Sequence, residues 1–285
     1  MGALRSLVRE SAARLAEAGI VSCEVDAVAL LAHAWSTDIA QVHRAQVLDR
    51  MPSSEVLVRF DDLLSERARR VPLQHLTGRA GFRHLELLVG PGVFVPRPET
   101  ELLVDLVASE LRALKEPVVV DLCTGSGAVA FAIKDEFPHA RVYAVELSSD
   151  AVAWAQLNRD RLGLDVHIVC GDATGAFPEL DDEVDVVLSN PPYIPIGMVP
   201  IDPEVRDHDP QIALYGGSSD GLAIPLRIAD RAAQLLRAGG LFAMEHAATQ
   251  GESLSAALTR RGSWTGVSDR HDLAEIPRAA IARRR

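Results

Sequence analysis

The sequence predicts an α/β protein, with a doubly wound sheet over residues 96–285 and a small helical domain ahead of it. Three observations carry this. Short continuous apolar runs, Val118-Val119-Val120 among them, mark strands buried on both faces. These runs alternate with amphipathic stretches long enough for helices. Before them, residues 3 to about 70 show helical periodicity alone. The expected division is 1–72 helical, 73–95 a β-hairpin linker, and 96–285 the α/β domain.

In the helical domain, Leu4, Leu7, Val8 and Leu15 share one face, and Gly19 ends the run. Val25, Val28, Leu31 and Trp35 repeat the pattern behind Ser22, an expected N-cap. Ser53 or Ser54 opens a third helix with Leu57, Phe60, Leu63 and Leu64 apolar, and Pro72 closes it. The stretch from Leu76 to Phe82, then Leu85, Leu87, Val89 and Gly90-Pro91-Gly92, suits two short strands and turns. A helix follows Pro98. Strands are expected at Val118 to Leu122, Val142 to Leu147, Val166 to Cys170, Val184 to Ser189 and Leu241 to Glu245. Helices are expected at Val129 to Phe137, Asp150 to Leu162 and Leu222 to Leu236.

Composition narrows the classes of function. The 285 residues are 48% hydrophobic and 24% charged, ordinary for a globular chain. The net charge of −11 suits nucleic-acid binding poorly, because that binding draws on neutralised phosphates. No apolar run approaches the roughly 18–20 residues that span a bilayer. Charges interrupt the first fifteen residues, so no secretory segment is expected and a cytoplasmic location is. Cys23, Cys123 and Cys170 are widely spaced and give neither a disulfide framework nor a metal pattern. No metal is expected.

Four constellations could carry chemistry. Asp121-Leu122-Cys123-Thr124-Gly125-Ser126-Gly127 joins a buried strand to a helix. Glycines there admit a ligand to the backbone, and the helix start offers free N–H groups. The spacing is neither G-x-G-x-x-G nor a P-loop, which disfavours a pyrophosphate and with it a nicotinamide dehydrogenase. Glu146, at the next strand end and about 20 residues on, is placed to accept hydrogen bonds from ribose hydroxyls. Asp172, after Gly171, suits either an adenine amino group or a simple turn, and the sequence leaves both open. Asn190-Pro191-Pro192-Tyr193 is the most specific signal. The prolines remove donors and leave carbonyl acceptors, Asn190 adds a side-chain acceptor, and Tyr193 adds a flat face. That set suits a planar –NH2 group.

Together these segments resemble a class I S-adenosylmethionine-dependent methyltransferase acting on an exocyclic or amide nitrogen. More narrowly, Pro72 to Gly78, Phe94-Val95-Pro96-Arg97-Pro98-Glu99-Thr100-Glu101, Gly217 to Leu222 and the helical domain resemble the protein-(glutamine-N5) methyltransferases of peptide chain release factors. The similarity covers nearly the whole chain. It implies a seven-stranded Rossmann-like methyltransferase sheet, a hairpin linker and a helical domain that helps to dock the release factor. The implied substrate is the glutamine of the Gly-Gly-Gln motif, and the implied product of the donor is S-adenosylhomocysteine.

By position, Cys123, Thr124, Gly125, Ser126 and Gly127 would hold the methionine part of the cofactor, with Asn190 nearby. Glu146 would hold the ribose, and Asp172 with Ala173 would border the adenine. Asn190, Pro191, Pro192 and Tyr193 would hold the glutamine and form the catalytic set, with Phe94, Pro96 and Arg97 at the pocket rim. A monomer is expected. Three positions depart from the family pattern. Cys123 stands where glycine is frequent, Glu146 where aspartate is frequent, and Ala173 where an aromatic often flanks the adenine, which points to weaker cofactor affinity.

Two other readings share parts of this pattern. A nucleic-acid amino methyltransferase uses the same tetrad on a flipped base. Against it stand the acidic charge and only two basic runs, Arg67-Ala68-Arg69-Arg70 and Arg283-Arg284-Arg285. A silent cofactor-binding module is the other, and the intact tetrad argues against it.

Overall fold

A computed structural model describes residues 2–285. The chain separates into two compact units. One comprises the residues up to Arg79 together with Pro200–His208, and the other comprises Ala80–Val199 and Asp209–Arg285. The first unit therefore takes in a segment from far down the chain, which a division in chain order does not contain.

In that unit, α1 (Ala3–Glu17), α2 (Cys23–Ala34), α3 (Ile39–Leu48), α4 (Ser54–Ala68) and α5 (Leu73–Thr77) surround one core. Leu4, Leu15, Leu30, Leu31, Phe60 and Leu64 fill it. Three expectations need correction. Ser22 makes no capping bond; its hydroxyl donates instead to Asp26 Oδ1 at 2.8 Å. Val25, expected on the apolar face, is exposed. Residues 73–77 are helical rather than extended, because Pro72 starts a turn that Gly78 closes at φ +72°.

Helix α3 escaped the periodicity because only Val42 and Ala45 are buried on it, while Val47 and Leu48 face solvent. Its signal was Asp38, whose carboxylate accepts the Gln41 N–H at 2.7 Å. A short helix at Pro203–His208, α9 in chain order, also belongs here. Its Glu204 accepts from Arg67 at 2.7 Å and from Arg70, and Arg67 Nε also donates to Asp26 at 2.7 Å.

The second unit begins at Ala80, within the hairpin strands β1 (Arg79–Phe82) and β2 (Leu85–Leu88). Then follow α6 (Glu101–Ala113), β3 (Val118–Leu122), α7 (Ala128–Glu136), β4 (Arg141–Glu146), α8 (Ser149–Leu162), β5 (Val166–Cys170) and β6 (Val184–Ser189). After α9 come α10 (Ala223–Leu235), β7 (Leu236–Glu245), α11 (Gly251–Arg260), β8 (Trp264–His271) and β9 (Pro277–Arg284). Strands β3 to β9 form one sheet in the order β5-β4-β3-β6-β7-β9-β8. The first five are parallel, and β9 runs antiparallel to both its neighbours.

Alternate side chains feed two cores. Val119, Val142 and Val186 pack with Leu103, Val107, Phe131 and Ile133 on one face. Val120, Val145 and Val187 pack with Ile228, Ala232, Leu254 and Leu258 on the other. This is why the central strands read as unbroken apolar runs. Strands β8 and β9 complete the seven-stranded sheet. The arginines of β9 are held in the sheet: Arg283 pairs with Leu241 and donates to Glu110 at 2.7 Å. No helix among the described residues is long and apolar enough to cross a membrane.

Candidate active site

The strand order reverses direction between β3 and β6, and in open α/β sheets the crevice that takes a ligand lies at such a point, outside the carboxyl ends of the strands. Register places the ends together: Leu122 is opposite Ser189 and Val145, and Glu146 is opposite Cys170. The loops that start at Cys123, Leu147, Gly171 and Asn190 therefore leave the sheet at one edge. Ser189 reinforces this edge by donating its hydroxyl to the Leu122 carbonyl at 2.6 Å.

The 123–127 loop turns sharply through three left-handed residues, Cys123 (φ +70°), Gly125 (φ +57°) and Gly127 (φ +88°). For cysteine that conformation costs about 1–2 kcal/mol, which explains why glycine is frequent there in the family the sequence resembles. Gly127 must lack a side chain, since a Cβ would stand 2.1 Å from the Phe131 ring. Gly125 faces open space, with nothing within 4 Å of a built Cβ. Thr124 is tied down by donating to Asp121 Oδ2 at 2.6 Å. Burial pushes the Asp121 carboxyl up to about 7, against the Thr124 hydroxyl, which favours the charged form. Burial, with the nearby Glu146 and Asp121 charges, likewise pushes the Cys123 thiol upward.

Glu146 binds the loop itself. Its Oε2 accepts the Gly125 N–H at 2.9 Å and its Oε1 accepts the Ser148 N–H at 2.8 Å. Each carboxylate oxygen has a second lone pair, so the pre-positioned group keeps acceptor capacity toward the crevice. At the β5 end, Asp172 makes the turn: Oδ1 accepts the Thr174 N–H at 2.9 Å and its hydroxyl at 2.8 Å. Those two bonds hold its carboxyl below the usual range. Ala173 is buried against the core beneath.

In the tetrad, the Asn190 amide donates through Nδ2 to Thr100 Oγ1 at 3.1 Å, which leaves Oδ1 as the acceptor end. Tyr193 donates to Glu245 Oε1 at 3.2 Å. Burial and the Glu245 charge push the Tyr193 hydroxyl upward, so it stays a phenol. Glu245 is itself almost wholly buried, and that burial raises its carboxyl to about 7. Arg97 lies 4.9 Å over the Phe94 ring and donates to Asp209 at 2.6 Å. Phe94, Pro96 and Arg97 are all half-exposed.

Four supporting residues have no site role assigned from the sequence, although Thr100 and Gly221 stand in segments that carry the family resemblance: Thr100, Glu245, Gln250 and Gly221. Gln250 Nε2 donates to the Tyr193 and Asp220 carbonyls, each at 2.8 Å. Ile194 pairs with Tyr215, and Gly216 N–H donates to Ile194 at 2.9 Å. The Gly217-to-Leu222 segment is thus the brace of the tetrad. Among the described residues no group of three or more His, Cys, Asp or Glu is placed to hold a metal ion.

Comparison with known proteins agrees with this architecture. Residues 85–197 match the methyltransferase small domain family, and residues 6–78 match the PrmC N-terminal domain family. The release factor glutamine methyltransferase of Streptomyces coelicolor is 45% identical over 100% of this chain and 99% of its own length. The enzyme of the same name from Mycolicibacterium smegmatis is also 45% identical, over 100% of this chain and 99% of its own. Among solved structures, a Thermus thermophilus 16S rRNA N2 G1207 methyltransferase, in complex with AdoMet and guanosine, shares the fold. Its TM-score is 0.52 at 21% identity, covering 73% of this chain and 50% of that one. With full-length likeness of this degree, and with both family matches falling on the two units described, the chain belongs to the release factor glutamine methyltransferase family of enzymes.

Proposed function

We propose that this enzyme transfers a methyl group from S-adenosylmethionine to the side-chain amide nitrogen, N5, of the glutamine in the Gly-Gly-Gln motif of peptide chain release factors. S-adenosylhomocysteine is the second product. The observation that carries the reading is the anchoring of Asn190. With its Nδ2 engaged by Thr100, the remaining Oδ1 beside two prolines is an acceptor suited to an incoming –NH2 group.

The crevice fits the cofactor. The open backbone at Gly125 and the carboxylate of Glu146 supply the floor and the acceptor that such a ligand needs. Cys123 to Gly127 would hold its methionine part, with Asn190 beside it, Glu146 its ribose, and Asp172 with Ala173 the adenine. Bound there, S-adenosylmethionine supplies a methyl group already activated on a sulfonium.

The difficulty lies with the acceptor, because an amide nitrogen shares its lone pair with the carbonyl. Asn190 Oδ1 and the Pro191 carbonyl accept its two hydrogens, and Pro192 stiffens the loop that presents them. Tyr193 packs on the amide plane. The lone pair is then aimed at the methyl group, and charge developing on nitrogen meets fixed acceptors. Positioning of this kind is worth about 7–11 kcal/mol in well-oriented systems, and fixed dipoles add to it. The methylated amide loses its proton to water, so no strong base is needed. Phe94, Pro96 and Arg97 form the pocket rim.

The helical unit, in this reading, helps to dock the release factor, and the enzyme acts as a cytoplasmic monomer without binding nucleic acid directly. The basic runs support that: Arg67 is buried in ion pairs with Asp26 and Glu204, and Arg283 is paired with Glu110.

Mass spectrometry of release factor incubated with the enzyme and S-adenosylmethionine tests the proposal. A single added methyl on the Gly-Gly-Gln glutamine, lost in Asn190→Ala while cofactor binding is largely retained, is the expected result. An unmodified factor would sink it, and loss of cofactor binding in Asn190→Ala would sink the assignment of roles.

A further inference from the structure

We infer that Glu245 is a positioning residue for methyl transfer. From the end of β7 its carboxyl takes the Tyr193 hydroxyl directly, and its open oxygen would take the hydrogen of the Thr100 hydroxyl that holds Asn190, so that one buried group orients both ends of the tetrad. This rests on the proposed reaction.

The geometry is specific. Glu245 is 1% exposed and forms no ion pair among the described residues. Its Oε1 receives the Tyr193 hydroxyl, while Oε2 has no hydrogen-bond partner. The Thr100 hydroxyl lies beside the carboxyl and favours its charged form. That hydroxyl oxygen already accepts from Asn190 Nδ2, so its own hydrogen is free to turn toward Glu245. The direction of donation then runs from Asn190 to Thr100 to Glu245, and it fixes which end of the Asn190 amide faces the crevice.

A carboxyl buried without a direct ion pair opposes folding. A glutamine or methionine would fill the same space more cheaply, so packing alone does not account for an acid here. An acid does account for the polarity of the chain, since two acceptor oxygens at position 245, of which glutamine keeps only one, let both hydroxyls donate inward. The charged and titratable groups that face it are Glu99, ahead of α6, Tyr193 after β6, and Arg278 on β9. Burial places its proton loss near neutral pH, where the strength of the grip changes.

The test uses the full chain and four proteins: wild type, Glu245→Gln, Thr100→Val and Thr100→Ser. The first readout needs no substrate. The side-chain amide resonances of Asn190 are followed by NMR between about pH 6 and 8. In the wild type and Thr100→Ser they should titrate; in Glu245→Gln and Thr100→Val they should not. The second readout is steady-state methylation of release factor. Glu245→Gln and Thr100→Val should lose about tenfold or more in kcat with cofactor affinity unchanged, and Thr100→Ser should recover most of it.

Amide resonances that titrate identically in Glu245→Gln overturn the inference, as does a wild-type kcat in that variant. If Glu245→Gln fails to fold, the contrast between Thr100→Val and Thr100→Ser decides, and equal rates in those two overturn it. If the resonances behave as expected but no protein methylates release factor, the reaction assigned above has failed and the positioning stands.

Discussion

Gly221 lies so close to Tyr193 that a Cβ on it would stand 2.1 Å from the Tyr193 carbonyl oxygen. The same carbonyl takes the Gln250 amide at 2.8 Å, and Gly221 holds φ +75°. A side chain at 221 must therefore move the tetrad, and it must do so from a left-handed backbone. Gly221→Ala should destabilise the protein by about 2–4 kcal/mol, from overpacking and backbone strain together. Urea unfolding measures that loss. Release factor methylation by the still-folded fraction should fall, because the Tyr193 backbone is what shifts. Unchanged stability would mean that the segment gives way without cost.

Glu146 makes a second prediction. Its two oxygens each accept a backbone N–H, from Gly125 and Ser148. Glutamine there replaces one oxygen with an –NH2 group that faces a donor. Glu146→Gln should loosen the loop and weaken S-adenosylmethionine binding by about 1.5–3 kcal/mol, the range for a hydrogen bond to a charged group. Calorimetric titration of the cofactor reads this directly. An unaltered Kd would remove Glu146 from the ribose-binding role.

Much of this architecture was legible in the sequence because burial on two faces leaves a plain mark. The runs at Val118 and Val184 are β3 and β6, and their carboxyl ends do carry the Cys123 and Asn190 loops. At the second of these loops the residue types of Asn190 to Tyr193 by themselves suggest acceptors for an –NH2 group, the role proposed above. What escaped has two physical causes. Helix α3 and strand β8 bury few residues, and the buried residues of β9 are the small Ala279, Ala280 and Ala282, so their periodicity is faint. Thr100, Glu245 and Gln250 act through tertiary contacts with residues far away in the chain, and no spacing rule reports a contact of that kind. The pairing of Arg67 with Glu204 escaped for the same reason.

Stability should pass through a maximum in mildly acidic solution. Asp121 and Glu245 are each raised by burial to about 7, from ordinary values of 3.8 and 4.5. Between those limits the unfolded chain has lost protons that the native state still holds. Unfolding then releases protons, and stability falls as pH rises toward 7, by up to about 1.4 kcal/mol per pH unit for each group. Glu204 acts in the opposite window. Burial opposes its ionisation, but hydrogen bonds with Asp202, Arg70 and Arg67 outweigh that and hold its carboxyl at about 2. Its contribution is present above about 4.5 and is lost as pH falls toward 2. Denaturant unfolding across this range, with Asp121→Asn alongside, checks the signs. The variant should show a shallower decline above pH 5, and an identical slope would remove Asp121 as a source.

The Asp26–Arg67–Glu204 cluster in the helical unit yields the last prediction. Arg67 has a side chain only 7% exposed and sits between two carboxylates, at 2.7 Å from each. Desolvating three charges costs nearly as much as their attraction returns, so the cluster as a whole adds little net stability. Breaking it is another matter. Glu204→Ala strips Arg67 of one partner, takes the carboxylate from Arg70, and leaves residues 200–208 without their main hold on this unit. The expected loss is about 3–5 kcal/mol, as for other half-broken buried pairs. Limited trypsin digestion should then cut after Arg206, which lies inside that segment, earlier than in the wild type. Replacing all three residues with apolar ones of like volume, Asp26→Leu with Arg67→Met and Glu204→Met, should restore most of the stability. If the triple variant is as unstable as Glu204→Ala, the charges themselves hold the segment, and the desolvation they carry is smaller than their burial implies.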